Sequence, residues 1–191
     1  YFLISDFHDG LAYVLTADLN KPSGFINKKG KLIIPNTKHY EMRNFYDGLA
    51  KVKINDKWGF INKSGKLVIP AEYDIGDGVL TDRKGALTAG NFYNGLTPVK
   101  INGKYGVINK SGKLVIPARY DSIANFSEDL AAVSINNKWG FINKSGDLII
   151  PAQYNHANSF SEGLARVTIN GNKHGFIDKT GKMVFTFETR R

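Results

Sequence analysis

The stretch KWGFINKSGKLVIPAEYD at residues 57–74 decides the fold, because the chain writes it repeatedly. It returns most plainly as KWGFINKSGDLIIPAQYN at residues 138–155. Its central glycine occurs five times, at Gly24, Gly59, Gly106, Gly140 and Gly175. A second glycine follows each after six residues, at Gly30, Gly65, Gly112, Gly146 and Gly181. Such self-similarity is typical of units that stack and bury a shared core between them.

One complete unit, beginning at Tyr120, predicts three short strands. The first covers residues 130–135 and places Ala131, Val133 and Ile135 on one face. The opposite positions in other repeats include Lys51, Lys53, Lys100 and Arg166. We therefore expect this strand to be antiparallel, with one solvated face. The polar pair Asn136-Asn137 then predicts a two-residue hairpin with positive φ angles.

The second strand, residues 138–143, is apolar on both faces and must be covered twice. Gly140 separates Trp139 from Phe141, and a glycine inside a strand predicts close approach by another group, here a neighbouring repeat. After a glycine-containing turn, the third strand covers Leu148 to Ile150. Pro151 should end its pairing, because proline donates no hydrogen bond.

The repeat spacing bears on how the units assemble. Gly106 to Gly140 is 34 residues and Gly140 to Gly175 is 35, which suits three strands better than four. We therefore predict an all-β, open, solenoid-like array of five three-stranded antiparallel units, with Phe185 and Phe187 on a partly exposed terminal edge. The alternative is a closed five-bladed, propeller-like ring, which the whole number of units also suits.

We expect a single domain at residues 1–191. Its repeats should fall at approximately 1–39, 40–72, 73–119, 120–153 and 154–191. The third repeat is irregular, because Tyr73 to Phe92 spans 19 residues where Tyr120 to Phe126 spans six. This insertion at residues 75–89 includes Asp77, Asp82, Arg83 and Lys84, and insertions in repeat proteins often lie on a binding face. An inert surface hairpin is the alternative.

The Trp-Gly pair after lysine, the Phe-Ile-Asn/Asp-Lys-x-Gly turn and the Ile-Pro-Ala-x-Tyr ending resemble the WG (KWG) repeat family of bacterial proteins. The resemblance covers essentially the whole chain. It implies a β-rich repeat module, often beside other domains, without a common activity or catalytic residues. The chain departs from the pattern at Pro22-Ser23, where Lys-Trp is expected, and at His174, where Trp is expected.

Composition favours acidic partners, since the net charge is +9 and the isoelectric point is about 9.6. There is no cysteine, which excludes disulfides and thiolate metal sites. No apolar run approaches the roughly 18 residues of a membrane span. The chain opens on Tyr1 without an initiating Met or a signal-like stretch, so we expect it to be an excised or processed segment.

Two columns of side chains are candidate binding groups. Trp58, Tyr105 and Trp139, with His174, form an aromatic column that fits the core between repeats better than a stacking platform for sugars or bases. The turn lysines form the other column: Lys28, Lys63, Lys110, Lys144 and Lys179. Stacked in register, they would attract a polyanion in a salt-dependent way. Solubility and protection of strand edges are the alternative roles.

The sequence offers no catalytic or metal-binding constellation. The four histidines lack metal-ligand spacing on a shared element, and the acidic residues of the turns suit backbone hydrogen bonding rather than catalytic pairing. We therefore expect no enzyme, no cofactor and no metal. We predict a module that binds a protein or another macromolecule, with binding of an envelope polymer or nucleic acid as the alternative. A bacterial envelope or secreted location is favoured over the cytoplasm, and the oligomeric state is left open.

Overall fold

The computed structural model describes residues 3–16, 23–37, 41–74 and 90–189, where every regular element is a β-strand. The strands form five antiparallel sheets, one for each repeat, and strands adjacent in sequence pair within each sheet. No described strand joins the first repeat to the fifth. The predicted fold class is confirmed: the chain is an open all-β array of five antiparallel units. None of the described residues forms a helix long and apolar enough to cross a membrane.

The strands follow the chain in simple order. The first sheet contains β1 (Leu3–Ile4), β2 (Leu11–Leu15), β3 (Gly24–Asn27) and β4 (Leu32–Pro35). The second contains β5 (Glu41–Tyr46), β6 (Leu49–Ile54), β7 (Lys57–Asn62) and β8 (Leu67–Tyr73). The third contains β9 (Leu96–Ile101), β10 (Lys104–Asn109) and β11 (Leu114–Tyr120). The fourth contains β12 (Ser122–Ile123), β13 (Leu130–Ile135), β14 (Lys138–Asn143) and β15 (Leu148–Tyr154). The fifth contains β16 (His156–Ala157), β17 (Leu164–Asn170), β18 (Lys173–Asp178) and β19 (Met183–Glu188).

Each repeat has the three predicted strands, and four repeats add a leading strand. The sequence does not predict this strand, because β1, β12 and β16 have only two residues each, too few to show an alternation. In the third repeat the corresponding residues, 75 and 76, lie outside the described ranges, but the Asp74 N–H donates to the Lys100 carbonyl at 3.1 Å, as the Asp121 N–H does to the Ser134 carbonyl in the fourth. The chain enters the insertion immediately after this contact.

The first hairpin of each unit forms as predicted. In the fourth repeat Ile135 pairs with Lys138, and Asn136 and Asn137 have φ angles of 50° and 62°. Asparagine tolerates this left-handed backbone better than most residues, which fixes a tight turn that matches the twist of the strands. The register of β13 against β14 follows from this turn.

The core lies between repeats rather than within them. One apolar cluster combines Phe141 and Ile150 of the fourth repeat with Phe160 and Val167 of the fifth, and three similar clusters join the other neighbours. Stacking covers both faces of the first main strand in the interior of the array. The expectation of a solvated face is therefore wrong for Lys51, Ala132 and Ser134, which are buried, whereas Lys53 and Lys100 stay partly exposed.

The third strand does not end at the proline. Strand β15 continues through Pro151 to Tyr154, because it bulges away from β14 at this point. Phe141 pairs with Ile150, but Trp139 pairs with Tyr154, so four residues of β15 oppose two of β14. The proline sits in the bulge, where no ladder hydrogen bond is required of it.

The bulge explains the central glycine. A Cβ atom on Gly59 would lie 2.6 Å from the Ile69 oxygen and 2.8 Å from the Ala71 nitrogen. These atoms belong to the bulged strand of the same repeat, so the expectation that a neighbouring repeat makes the close approach is wrong. The central glycine serves the internal closure of each sheet.

We expect Gly59→Ala to lower the free energy of unfolding by about 1–3 kcal/mol, because the new methyl group meets backbone atoms that must move. Gly103→Asn is the control. Gly103 has a φ of 83° with open space around it, and the equivalent hairpin position holds Asn137 in the fourth repeat. Urea denaturation of both variants checks this, and equal stabilities would contradict it.

Candidate interaction surfaces

The contact between successive repeats is built first on an isoleucine and a turn glycine. A Cβ on Gly181 of the fifth repeat would lie in tight contact with Ile150 of the fourth, 3.3 Å away, and the φ of 85° at this turn position itself favours glycine. The same contact joins Ile34 to Gly65, Ile69 to Gly112, and Ile116 to Gly146. All four isoleucines are at most 5% exposed. The second glycine of the repeated block is therefore the point where neighbours meet.

Aromatic pairs form the second part of this interface. A phenylalanine of one repeat meets a phenylalanine of the next with ring centroids 4.8 to 4.9 Å apart and steeply inclined planes. The pairs are Phe25 with Phe45, Phe60 with Phe92, and Phe141 with Phe160. This geometry places a ring edge against a ring face, which adds to the stabilisation from burial alone. The third repeat has Val107 at the first position and lacks such a pair.

A carboxylate completes the interface. Asp47, in a turn of the second repeat, accepts a hydrogen bond of 2.6 Å from the Gly95 N–H and another of 2.6 Å from Lys110 Nζ. Both donors belong to the third repeat. Burial raises the pKa of Asp47, but the Lys110 and Gly95 hydrogen bonds and the Lys110 charge outweigh it and hold this pKa below its ordinary value. We call this arrangement the carboxylate clasp.

The clasp recurs with variations. Asp9 accepts from the Gly48 N–H at 2.6 Å, while its carbonyl accepts from Lys63 at 2.7 Å. Glu128 accepts from the Gly163 N–H at 3.0 Å and pairs with Lys179 at 3.1 Å. Where the third repeat meets the fourth, the turn residue is the neutral Asn94, and Lys144 instead pairs with Asp129 of its own repeat at 2.7 Å.

These contacts show what the side chains of the turn-lysine column bind. Lys63, Lys110, Lys144 and Lys179 all donate to acceptors in neighbouring turns, and three of them form ion pairs. Lys28 forms no ion pair within the described ranges. Each pairing cancels local positive charge, which weakens the attraction of the column for a polyanion. Polyanion binding by these lysines stays a prediction.

We expect Asp47→Ala to lower the free energy of unfolding by about 1 kcal/mol, because the Gly95 N–H and Lys110 both lose their acceptor. Asp47→Asn is the matched control. It keeps an oxygen acceptor, as Asn94 does at the next turn, and should cost less than half as much. Urea denaturation near neutral pH compares the two, and an equal loss in both would show that Asp47 contributes through its ion pair with Lys110 and not through the Gly95 hydrogen bond.

A second set of polar contacts joins the two ends of the repeated block at three places along the chain. Lys57, which precedes Trp58, pairs with Asp74 at 2.5 Å, and Lys104 pairs with Asp121. In the fourth repeat Lys138 donates to Asn155 at 2.5 Å. The lysine that opens the repeated block thus contacts the residue that ends it. This one contact explains why a lysine recurs at the start of the block and an Asp or Asn at its end.

The aromatic column lies beside these pairs. Trp139 is half-buried and packs against the cluster between the fourth and fifth repeats, whereas Tyr105 is 5% exposed in the preceding cluster. His174 stacks on Phe187 with ring centroids 5.4 Å apart. Trp58 has Arg43 and Lys51 near its ring face, at 5.9 and 5.7 Å. No continuous aromatic platform runs along the described repeats, since the members differ in burial and partners.

Lys51 lies on the face that the sequence predicts to be solvated, yet it is only 7% exposed. Burial first, and the Arg43 charge second, lower the pKa of Lys51 to about 8, against the opposing effect of Glu41. An ammonium group with a lowered pKa disfavours folding while it is charged, since desolvation penalises the charged form.

Stability should therefore rise with pH above about 8. Below that value the ammonium is protonated in the folded and the unfolded chain alike. Between pH 8 and its ordinary pKa of 10.5, the folded chain has released the proton while the unfolded chain holds it, so unfolding takes up a proton. We expect the free energy of unfolding to increase across this window in the wild type more than in Lys51→Met. Urea denaturation at both ends of the window measures it, and identical slopes would contradict it.

The edge strands expose a column of aliphatic side chains. Among the described strands, β4, β8, β11, β15 and β19 each pair with one other strand, and seven aliphatic side chains near their starts are 37 to 57% exposed. We call these residues the aliphatic ridge: Ile33, Leu67, Val68, Leu114, Leu148, Ile149 and Val184. A lysine precedes the strand start in four repeats, at Lys31, Lys66, Lys113 and Lys182. The sequence-based predictions do not include this surface, although the recurring Lys-Leu-Val/Ile pattern could have indicated it.

The insertion lies outside the described residues, so Asp77, Asp82, Arg83 and Lys84 receive no structural account. The structure does place its two ends. Asp74 is held by Lys57 and Lys100, while Asn91 and Phe92 are buried. Over the described ranges, no three His, Asp or Glu side chains gather into a possible metal site. The role of the inserted residues in binding stays a prediction.

Comparison with known proteins gives a family and a fold. The model of the WG containing repeat matches residues 24–58, 58–75, 88–105, 105–139 and 139–172. The comparison with curated proteins found no match.

Among solved structures, the chain is similar to one titled as the eukaryotic initiation factor, with a TM-score of 0.59 and 12% identity over 98% of this chain and 54% of that one. It is also similar to BamB from Moraxella catarrhalis, with a TM-score of 0.50 and 9% identity over 97% of this chain and 60% of that one. The WD40 beta propeller domain of Doa1 gives 0.44, at 12% identity over 97% and 67%. The chain thus spans about half of the first structure, and at these identities the likeness concerns the fold alone.

Proposed function

Because the chain belongs to the WG containing repeat family, we propose that it is a non-catalytic module whose aliphatic ridge binds another protein. The observation that carries the proposal is the exposure of large aliphatic side chains at the same place in successive repeats. Leu67, Leu114 and Leu148 are 42, 42 and 44% exposed. Scattered apolar residues are ordinary on a surface, but a recurring column of them is typical of an interaction site.

The surroundings of the ridge indicate the chemistry of the partner. Lysines stand directly before Leu67 and Leu114, and the chain as a whole carries a net charge of +9. A partner surface with apolar side chains to cover the ridge and carboxylates to meet its lysine rim would be complementary in both respects. The partner that we propose is therefore a protein segment rich in apolar and acidic residues.

The ridge supports a protein partner better than a polyanion. A polyanion gains from unpaired positive charge, whereas Lys110, Lys144 and Lys179 of the turn column are already paired with carboxylates. It also gains nothing from exposed leucines. Polyanion binding remains the alternative, because the net charge favours it.

We expect peptides selected from a displayed random library for binding to the wild-type chain to be enriched in apolar and acidic residues. Those peptides should lose at least about tenfold in affinity for the triple variant Leu67→Ser, Leu114→Ser and Leu148→Ser, because the apolar contact is removed. The matched control replaces the same leucines with Met, which keeps an apolar side chain at each position. Titration calorimetry measures the affinities, and equal affinity for the Ser and Met variants would contradict the ridge as the contact.

Two further arms separate the alternatives. Heparin serves as the polyanion probe, and a steep fall of its affinity with rising salt would support the turn-lysine column, whereas a flat response would remove it. Deletion of residues 75–89 tests the insertion. If the selected peptides bind the deletion variant as well as the wild type, the insertion is not their contact.

A further inference from the structure

The two ends of the array carry the two halves of an interface that the interior forms four times. Each interior interface places an isoleucine against a turn glycine, beside an aromatic contact or its Val107 equivalent, and three of the four add a polar clasp from one turn to the next. The fifth repeat presents the first half of this set, and the first repeat presents the second half. Within the described residues the two halves do not meet, since Phe7 and Phe185 are 44 and 59% exposed.

The C-terminal face belongs to the fifth repeat. Phe185 occupies the position of Ile150 and is 59% exposed, whereas Ile150 is 1% exposed beneath the next repeat. Phe176 occupies the position of Phe141 and is half-buried. Glu162 occupies the position of Glu128, and its carboxylate has no hydrogen bond or ion pair within the described residues. We define this face by Phe185, Phe176 and Glu162.

The N-terminal face belongs to the first repeat. Gly30 occupies the position of Gly181, and nothing lies within 4 Å of the place where its Cβ would be. Phe7 occupies the position of Phe160 and is 44% exposed, whereas Phe160 is 1% exposed. Lys28 and the turn residue Gly10 occupy the positions of Lys179 and Gly163. We define this face by Gly30, Phe7, Lys28 and Gly10.

We propose that the C-terminal face of one chain binds the N-terminal face of a second copy, in the register of the interior interfaces. Phe185 then lies against Gly30, and Phe176 meets Phe7. Glu162 accepts hydrogen bonds from the Gly10 N–H and from Lys28, as Glu128 does from Gly163 and Lys179. The open space beside Gly30 accommodates a phenylalanine in place of the isoleucine found inside the array.

Charge decides which faces meet. Two C-terminal faces would bring two Glu162 carboxylates together, and two N-terminal faces would bring two Lys28 ammonium groups together. Only the head-to-tail arrangement pairs opposite charges. Such a contact joins different surfaces of identical chains, so it builds closed rings or longer assemblies rather than a dimer through two like faces. The end faces are separate from the aliphatic ridge, which stays free on the edge strands.

The first experiment is analytical ultracentrifugation of the wild-type chain from about 1 to about 200 µM, a range in which weak self-association becomes visible. We expect the mean mass to rise with concentration. Phe185→Glu and Phe7→Glu should each raise the apparent dissociation constant by at least about tenfold, because each places a charge in one apolar face. Gln153→Glu adds the same charge at an exposed site away from both faces and should associate like the wild type. Circular dichroism confirms that every variant is folded.

The second experiment mixes the two face variants. Phe7→Glu retains its C-terminal face and Phe185→Glu retains its N-terminal face, so the mixture should form a one-to-one heterodimer and nothing larger. A wild-type chain that stays monomeric across the range overturns the proposal. Homodimers of either single variant, or a mixture that does not associate while the wild type does, overturn it in favour of a contact between like faces.

Discussion

The contact of an isoleucine with the turn glycine of the next repeat is the constraint on which the rest of the structure depends. A sheet of three or four short strands exposes two apolar faces and covers neither by itself. Placing Ile150 beneath Gly181 brings the fifth sheet close enough to cover the fourth, and the same spacing operates at the other three interfaces. The turn carries glycine because its φ lies between 79° and 88° at the four interfaces, and the absent Cβ leaves room for the isoleucine. Stability is therefore a property of neighbouring pairs of repeats.

The charged groups follow from this stacking. Once the turns of adjacent repeats lie near one another, the carboxylate of Asp47 is held by Gly95 and Lys110, and these partners keep its pKa low. The sequence suggests that the turn lysines form a cationic surface. In the structure, Lys63, Lys110 and Lys179 instead contact the preceding repeat. Stacking favours the charged form of Asp47 but disfavours that of Lys51. It buries the Lys51 side chain and lowers its pKa to about 8.

The sequence predicts what is decided by local pattern. Strands β13 and β14 have the predicted bounds, and Asn136-Asn137 turns as expected, because alternation and positive-φ residues act over a few positions. The bulge at Pro151 and the burial of Ala132 cannot be predicted from local pattern in this way. The first depends on how β15 passes Gly140, and the second depends on which repeat covers that face. The aliphatic ridge was within reach of the sequence, but its exposure follows only from the strand order, which places β15 at an edge.

The residues of the aliphatic ridge differ from the other recurring residues, because folding of the repeat does not require them. Ile150 recurs because it fills the interface, and Gly146 recurs because its turn has a φ of 88° and packs against Ile116. Leu148 and Ile149 fill no core, since each is more than 40% exposed. Strand propensity alone does not require them, because threonine also favours strands and would expose less apolar surface. An aliphatic side chain kept at an exposed position in unit after unit is better explained by a partner that covers it than by the folding of the unit that carries it.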